Sequence, residues 1–433
     1  MGSRRLSFSG GRGSDPKQPM NPTKLLHDVM ACTDVRGILG MVQQHGKNFE
    51  SGHVGVAWGK MTQMPSGEGG GDEAELLKLL QVLTSAKMHE WEGPQLGNVV
   101  HSIATLCSGG RMVVGEKLGR ELQARARETS GEMMPQDLAM FSYGLASMSI
   151  KIDVGVVLAM QRRALDTAFD FSPQEIAMFM LALEMMETTA EPGMLAALQE
   201  RATMTAKDFK PQEMTMFLLT LDKMGIQASK AMLEALMVRA TSTAGTFNPQ
   251  DITMLMHALA AMGVKKPVTG LVDAMQGRAK EAVGMFDHDE VVMLVVALAK
   301  IGVTPDAGLL DALQARATSM SGKFQPQEIA LLLMELNTLG IKPEAGLVEA
   351  LQEQAIATAG SFMPENVTMI LHVFVTMGVT PMPDLVEAMQ TRARQTAAAF
   401  TMQEVAMFES AIEKLAVTPH DGLLEALHGS KAK

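Results

Sequence analysis

Apolar and polar positions recur along most of this chain with a period of 38 residues. Six of the eight intervals between repeat starts are 38 residues long. A fixed period of this length is the signature of a helical-repeat array. The repeat starts, where proline is the commonest residue, are Pro94, Pro135, Pro173, Pro211, Pro249, His288, Pro326, Pro364 and Met402.

Each 38-residue repeat carries the start and stop signals of two helices. Ser172 is a good N-cap, Pro173 suits the first helical position, and Glu175 completes a capping box, as Thr401 and Glu404 do in the last unit. A glycine fourteen residues after the repeat start predicts a left-handed helix stop. These glycines are Gly225, Gly263, Gly302, Gly340 and Gly378. A second helix follows, for example over residues 306–320.

The first helix of each repeat is apolar on almost every side, whereas the second is amphipathic. A helix that is apolar on every side must be covered by neighbours, as happens when repeats stack. We therefore predict an all-α fold, a right-handed α-solenoid of about nine 38-residue two-helix repeats over residues 73–428. Residues 22–64 are predicted as N-terminal capping helices, 65–72 as a glycine-rich linker and 429–433 as a tail.

Residues 1–21 are rich in arginine, serine and glycine and lack apolar periodicity. This composition fits a disordered tail. It also fits the remnant of an organelle transit peptide, since such peptides are rich in Arg and Ser and poor in acids. Both interpretations stay open.

Charge is distributed unevenly. The chain carries a net charge of −11, and residues 1–24 hold five basic residues against Asp15, which leaves −15 for residues 25–433. An acidic body disfavours nonspecific binding of polyanions. No apolar run approaches the roughly 18 residues of a membrane span, so no membrane partner is expected. Two cysteines provide no disulfide framework.

The second helices carry an arginine in one fixed position, which we call the arginine slot, and an acid follows twelve residues later. The fixed spacing has two interpretations: a structural ion pair between neighbouring repeats, which we favour, or one phosphate contact per repeat. Gln354 replaces the arginine once, and Asn366 then replaces the acid. The arginines are Arg125, Arg163, Arg201, Arg239, Arg278, Arg316 and Arg392, and the acids are Asp137, Glu175, Glu213, Asp251, Glu290, Glu328 and Glu404.

Motifs for chemistry are missing from the sequence. It contains no HExxH, CxxC, Walker or GxSxG pattern. We therefore expect no enzyme activity, no catalytic residues, no metal, no cofactor and no small-molecule substrate. A methionine recurs at one position of the first helices, which favours a place in the core over a peptide-binding groove.

The 38-residue period, the Phe-x-Pro-Gln-Glu opening, the Met-Gly-Ile/Val close and the Leu-x-x-Ala-Leu-Gln-x-Arg-Ala second helix together resemble octotricopeptide repeat proteins and their RAP-related kin. The resemblance covers residues 94–428 well and 25–93 loosely. It implies a factor of the chloroplast or mitochondrion that binds single-stranded RNA in RNA processing, stability or translation. A cytoplasmic location stays open as the alternative.

By analogy, bases would be read near the start of each first helix. The implied contacts are Gln136, Ala139, Gln174, Ala177, Gln212, Thr215, Gln250, Thr253, Gln327, Ala330 and Thr368. Small and amide side chains at repeated spacing suit base contacts. The acidic body leaves an alternative open, a protein-protein interaction scaffold without RNA activity.

Overall fold

The computed structural model describes residues 21–67, 70–265 and 270–429. Within them the chain forms 22 α-helices and no strand, which confirms the all-α helical-repeat fold. The tail interpretations for residues 1–20 and 430–433 lie outside the described residues. No described helix has the length and apolarity that crossing a bilayer would need.

The 22 helices follow one another along the chain in pairs. They are α1 Pro22–Ala31, α2 Val35–His45, α3 Ser51–Gln63, α4 Gly71–Ala86, α5 Gly93–Ser108, α6 Glu116–Thr129, α7 Pro135–Ser147, α8 Val154–Asp166, α9 Pro173–Met185, α10 Pro192–Met204, α11 Pro211–Lys223, α12 Lys230–Ser242, α13 Pro249–Ala261, α14 Leu271–Ala282, α15 His288–Ile301, α16 Ala307–Ser319, α17 Pro326–Thr338, α18 Ala345–Ala357, α19 Pro364–Met377, α20 Pro383–Gln395, α21 Met402–Lys414 and α22 Leu423–Gly429.

The chain divides into two compact units, Met1–Leu233 and Glu234–Lys433, and each unit is layered in the same way. We call the odd-numbered helices A helices and the even-numbered ones B helices. In the first unit the A helices α1, α3, α5, α7, α9 and α11 form one layer in which successive helices pack on one another, and α2, α4, α6, α8 and α10 form a second such layer. In the second unit α13 to α21 and α14 to α22 form the same two layers. The helices before residue 64 thus follow the alternation of the repeats.

The start of each A helix follows from its local sequence. In α9 the hydroxyl of Ser172 accepts the N–H of Glu175, and the carboxylate of Glu175 accepts the N–H of Ser172 at 2.7 Å. Thr401 and Glu404 form the same reciprocal pair in α21, so both predicted capping boxes are confirmed. The first repeat start is shifted by one residue, because α5 begins at Gly93 with Pro94 in its second position.

The predicted glycine stops are confirmed, since all five glycines have positive φ angles of 63–81°. In α11, for example, the N–H of Ile226 reaches back to the carbonyl of Leu221, which closes the helix. Three repeats make the same stop without glycine. Ser149, Glu187 and Ala416 adopt φ angles of 52–54° there, a conformation that side chains disfavour.

A short 3₁₀ turn follows nearly every B helix and leads into a buried apolar residue two positions before the next A helix. Phe171 is typical: its side chain is fully buried, and its backbone is extended at φ −63° and ψ 134°. Its N–H bonds to the carbonyl of Ala168 within the turn. Its own carbonyl belongs to no helix, and a buried carbonyl needs a donor from elsewhere.

A buried glutamine near the middle of most B helices hydrogen-bonds the loop of the following repeat. The amide of Gln161 donates to the carbonyl of Thr189 at 3.0 Å and accepts the N–H of Glu191 at 2.6 Å, and its side chain is 2% exposed. Each of these glutamines accepts a backbone N–H 30 residues ahead. In the first unit they are Gln123, Gln161 and Gln199, and in the second Gln276, Gln314, Gln352 and Gln390.

Replacing Gln161 with methionine, the residue that the chain itself carries in this position at Met237, tests the amide. Methionine fills the space but leaves a buried N–H and carbonyl without partners, so we expect Q161M to cost about 1–3 kcal/mol. The free energy of unfolding from chemical denaturation measures the loss. Gln395→Ala, at an exposed site on a B helix, is the control and should change stability by less than about 0.5 kcal/mol. Equal stability of Q161M and wild type would contradict this role.

Candidate functional site

Six arginines of the arginine slot each bind the backbone carbonyl just before the A helix of their own repeat, where the preceding repeat ends. The guanidinium Nε of Arg163 donates to the carbonyl of Met133 at 2.8 Å, and that of Arg201 donates to the carbonyl of Phe171 at 2.8 Å. These carbonyls belong to the buried residue two positions before each A helix. The same bond joins Arg125 to Trp91, Arg278 to Phe247, Arg316 to Phe286 and Arg392 to Phe362.

The acids predicted to pair with these arginines have another partner. The carboxylate of Glu213 accepts the N–H of Lys210 at 3.0 Å, and that of Glu290 accepts the N–H of Asp287 at 2.9 Å. Asp137, Glu175, Glu328 and Glu404 cap their helices in the same way. For the six predicted pairs other than Arg239 with Asp251, the structure therefore corrects the predicted ion pairs: the arginine joins repeats through a backbone carbonyl, and the acid caps its own helix start. Burial raises the pKa of the Asp251, Glu290 and Glu328 carboxyls above its ordinary value.

Gln354 explains why the arginine slot tolerates one exchange. Its amide nitrogen donates to the carbonyl of Phe324 at 3.0 Å, the same contact that an arginine makes elsewhere. Asn366 stands in the acid position of α19, where Met363 is the N-cap and no capping box forms. The loss of both charges at this boundary between two repeats thus involves two independent contacts.

Substitutions in the arginine slot should be tolerated when they keep an N–H donor for the backbone carbonyl, whether or not they keep the positive charge. We expect Arg316→Gln to keep stability within about 0.5 kcal/mol of wild type, because the amide can reach the Phe286 carbonyl. Arg316→Met removes the donor and should cost about 1–3 kcal/mol. Denaturant unfolding of both variants makes the comparison. If both lose stability equally, charge would be the essential property and an ion pair would be favoured again.

The residues expected to read bases divide into two groups. The structure buries Ala139, Ala177, Thr215, Thr253, Ala330 and Thr368, with at most 2% exposure. They face the neighbouring A helices, and the hydroxyl of Thr253 is satisfied by the carbonyl of Pro249. These six of the eleven expected residues therefore cannot contact a ligand. Gln136, Gln174, Gln212, Gln250 and Gln327 are exposed.

These five glutamines mark one edge of a face that each A helix leaves open, which we call the A face. At the next turn, seven A helices carry a partly exposed methionine, and Met293 reaches 37% exposure. The amide of Gln136 lies over Met140, with its nitrogen 3.8 Å from the sulfur. The expectation that this methionine series lies in the core is therefore wrong, because its register places it beside, not under, the helix contact. The series is Met140, Met178, Met216, Met254, Met293, Met369 and Met407.

The far end of the A face is polar, and cations are sparse there. Lys223 lies 3.9 Å from the carboxylate of Glu184 on the neighbouring A helix. In the second unit the amide of Asn337 bonds to the hydroxyl of Thr376 at 3.2 Å. Such contacts tie the helix ends together. The A face thus offers amides, thioethers and aliphatic groups, with few positive charges for phosphate.

The thiols show no sign of activation. Cys32 and Cys107 are both half-buried and unpaired, and burial raises the pKa of each thiol. A thiol with a raised pKa is a weak nucleophile at neutral pH. The B layer has an open groove of about 360 Å³ beside Asp384, Glu387 and Arg392, but its arginine already binds the Phe362 carbonyl.

Comparison with known proteins places residues 189–419 against one family, the RNA-editing substrate-binding complex 6 protein. A search of curated proteins finds no match. Among solved structures, the chain is similar to a homology model of the full-length AP-3 complex, with 11% identity over 95% of this chain and 86% of that one, at a TM-score of 0.27. A crystal structure of an engineered protein gives 9% identity over 95% and 98%, at a TM-score of 0.21. Scores this low carry no argument about function.

Proposed function

The chain belongs to the family of RNA-editing substrate-binding complex 6 proteins, and on this premise we propose that it binds single-stranded RNA through the A face. The proposal concerns binding without catalysis. Its main support is the recurrence of an exposed glutamine at the same position of five A helices.

The chemistry of the A face suits bases better than phosphates. A glutamine amide both donates and accepts, so it can pair with the edges of unstacked bases. The half-exposed thioethers beside it are polarizable and make favourable contacts with aromatic rings, a class that includes bases. Aliphatic side chains such as Leu181 and Leu219, half-exposed one turn further on, extend this apolar floor.

The arginines contribute less to RNA binding than their number suggests. The Nε of six slot arginines donates to a backbone carbonyl. Arg125 and Arg278 also contact Glu128 and Glu281 through Nη1. With a net charge of −11, long-range attraction to RNA is weak. We therefore expect affinity to depend only modestly on salt, with a slope well short of the value of about −5 that seven phosphate contacts would give at roughly −0.7 each.

The exposed glutamines provide the test. Alanine at Gln136, Gln174, Gln212, Gln250 and Gln327 together should weaken binding to a pool of single-stranded RNA at least about tenfold, or about 1.4 kcal/mol. Stability should hold, because the side chains are exposed. Fluorescence anisotropy at two salt concentrations gives both the affinity and the salt slope.

Gln395→Ala, on a B helix, should bind RNA like wild type. If the wild-type chain binds no RNA at about 100 mM salt, the RNA proposal fails, since the specific contacts in this proposal are largely insensitive to salt. A protein-interaction scaffold would then be favoured. The half-exposed methionines support that second candidate, because flexible thioethers adapt to varied protein surfaces.

We also propose an organelle as the site of action, in agreement with the Arg- and Ser-rich residues 1–21. Fusing these residues to a fluorescent reporter should direct it to mitochondria or chloroplasts, as microscopy would show. A variant with Arg4, Arg5 and Arg12 changed to glutamine is the control and should remain in the cytoplasm. Cytoplasmic reporter in both cases would remove the support from these residues.

A further inference from the structure

One repeat departs from the others at two adjacent positions. Where five A helices begin Pro-Gln, α15 begins His288-Asp289. Both replacements are residue types that ligate metals, and both stand at the first turn of the helix. The acid of the next repeat, Glu328 on α17, keeps its usual identity.

These three side chains meet across the boundary between two consecutive repeats of the second unit. The Nδ1 of His288 lies 2.8 Å from an oxygen of Asp289 and 3.1 Å from the nearer carboxylate oxygen of Glu328. One ligand atom of each residue lies within 4.8 Å of the other two. The three atoms can therefore face a single ion without any change in the backbone.

The surroundings orient the cluster and leave it accessible. The imidazole packs against the ring of Phe324, with ring centroids 5.8 Å apart, and the carboxylate of Glu328 is fixed by the N–H of Gln325 at 2.7 Å. Second contacts of this kind hold ligands in place. The Asp289 side chain is 58% exposed, whereas those of His288 and Glu328 are 23% and 18% exposed. An ion can thus enter from the Asp289 side.

We propose that His288, Asp289 and Glu328 form a binding site for a divalent transition-metal ion of the zinc class, which links α15 to α17. One imidazole with two carboxylates is an N/O ligand set that such ions accept, and the imidazole favours them over magnesium or calcium. Two carboxylates match the charge of a divalent ion. Zinc and protons compete for the same ligand atoms, so uptake weakens as the pH falls.

The obvious alternative is a proton in place of the metal. A protonated or Nδ1–H imidazole would donate to both carboxylates at the same distances, and it would also join the repeats. Zinc uptake separates the two arrangements, because only a metal site takes up zinc with a defined stoichiometry.

The chain supplies its own substitution for the test. Replacing His288 with proline and Asp289 with glutamine restores the sequence that begins the neighbouring A helices, so the H288P/D289Q variant keeps a compatible helix start. His89→Ala is the matched control for loss of a histidine, because the His89 side chain is 79% exposed and lies 3.9 Å from the carboxylate of Glu90.

The experiment uses the full chain, stripped with a chelator and titrated with Zn²⁺ against a chromophoric competitor. We expect one equivalent of zinc in wild type and H89A, and its loss in H288P/D289Q. Zinc should raise the melting temperature of the first two proteins only, because a ligand of the folded state stabilises that state. Co²⁺ in place of zinc should give an absorption band that the double variant lacks.

Two outcomes would overturn the proposal. Failure of wild type to take up zinc would identify the cluster as a proton-bridged ion pair. Equal uptake by wild type and the double variant would place the zinc on other side chains. Neither result bears on RNA binding, because the glutamine variants leave all three residues unchanged.

Discussion

The repeats are held in register by side-chain hydrogen bonds to backbone groups that belong to no helix. Each B helix with both residues reaches in two directions: its buried glutamine binds the loop of the next repeat, and its arginine binds the carbonyl that precedes its own A helix. Gln161 and Arg163, two residues apart, form such a pair. Because the buried loop groups have few other donors or acceptors, their satisfaction depends on these two side chains.

This use of the arginines determines what remains for function. The slot arginines bind backbone carbonyls and are less available to a ligand. The proposed function therefore rests on the A face. Its character follows from helix periodicity: once one side of an A helix packs on each neighbour, a narrow strip remains, and glutamine and methionine occupy it. A strip with amides and thioethers but few cations is consistent with the acidic charge of the whole chain.

Repeat length, helix starts and glycine stops were predictable because each depends on residues close together in sequence. Ser172 and Glu175, for instance, contact each other within one turn. The partners of the arginines were not predictable, because a backbone carbonyl has no sequence signature, whereas an acid at fixed spacing does. The role of Gln161 was not predictable for the same reason, because its partners are also backbone groups. Likewise, no motif joins His288 to Glu328, since their contact depends on how one repeat packs on the next. The octotricopeptide resemblance did not identify the family to which the chain belongs, and that resemblance stays a prediction.

The backbone character of these contacts has an evolutionary consequence. Each repeat contains its own glutamine and arginine, and these side chains bind backbone groups of the adjoining loops. No pair of side chains in neighbouring repeats therefore has to change together. A duplicated or deleted unit can therefore join its new neighbours without compensating substitutions. Gln354, which makes the arginine's contact without its charge, shows how far a single position can drift under this arrangement. Arrays built in this way can change length more readily than arrays joined by matched charges.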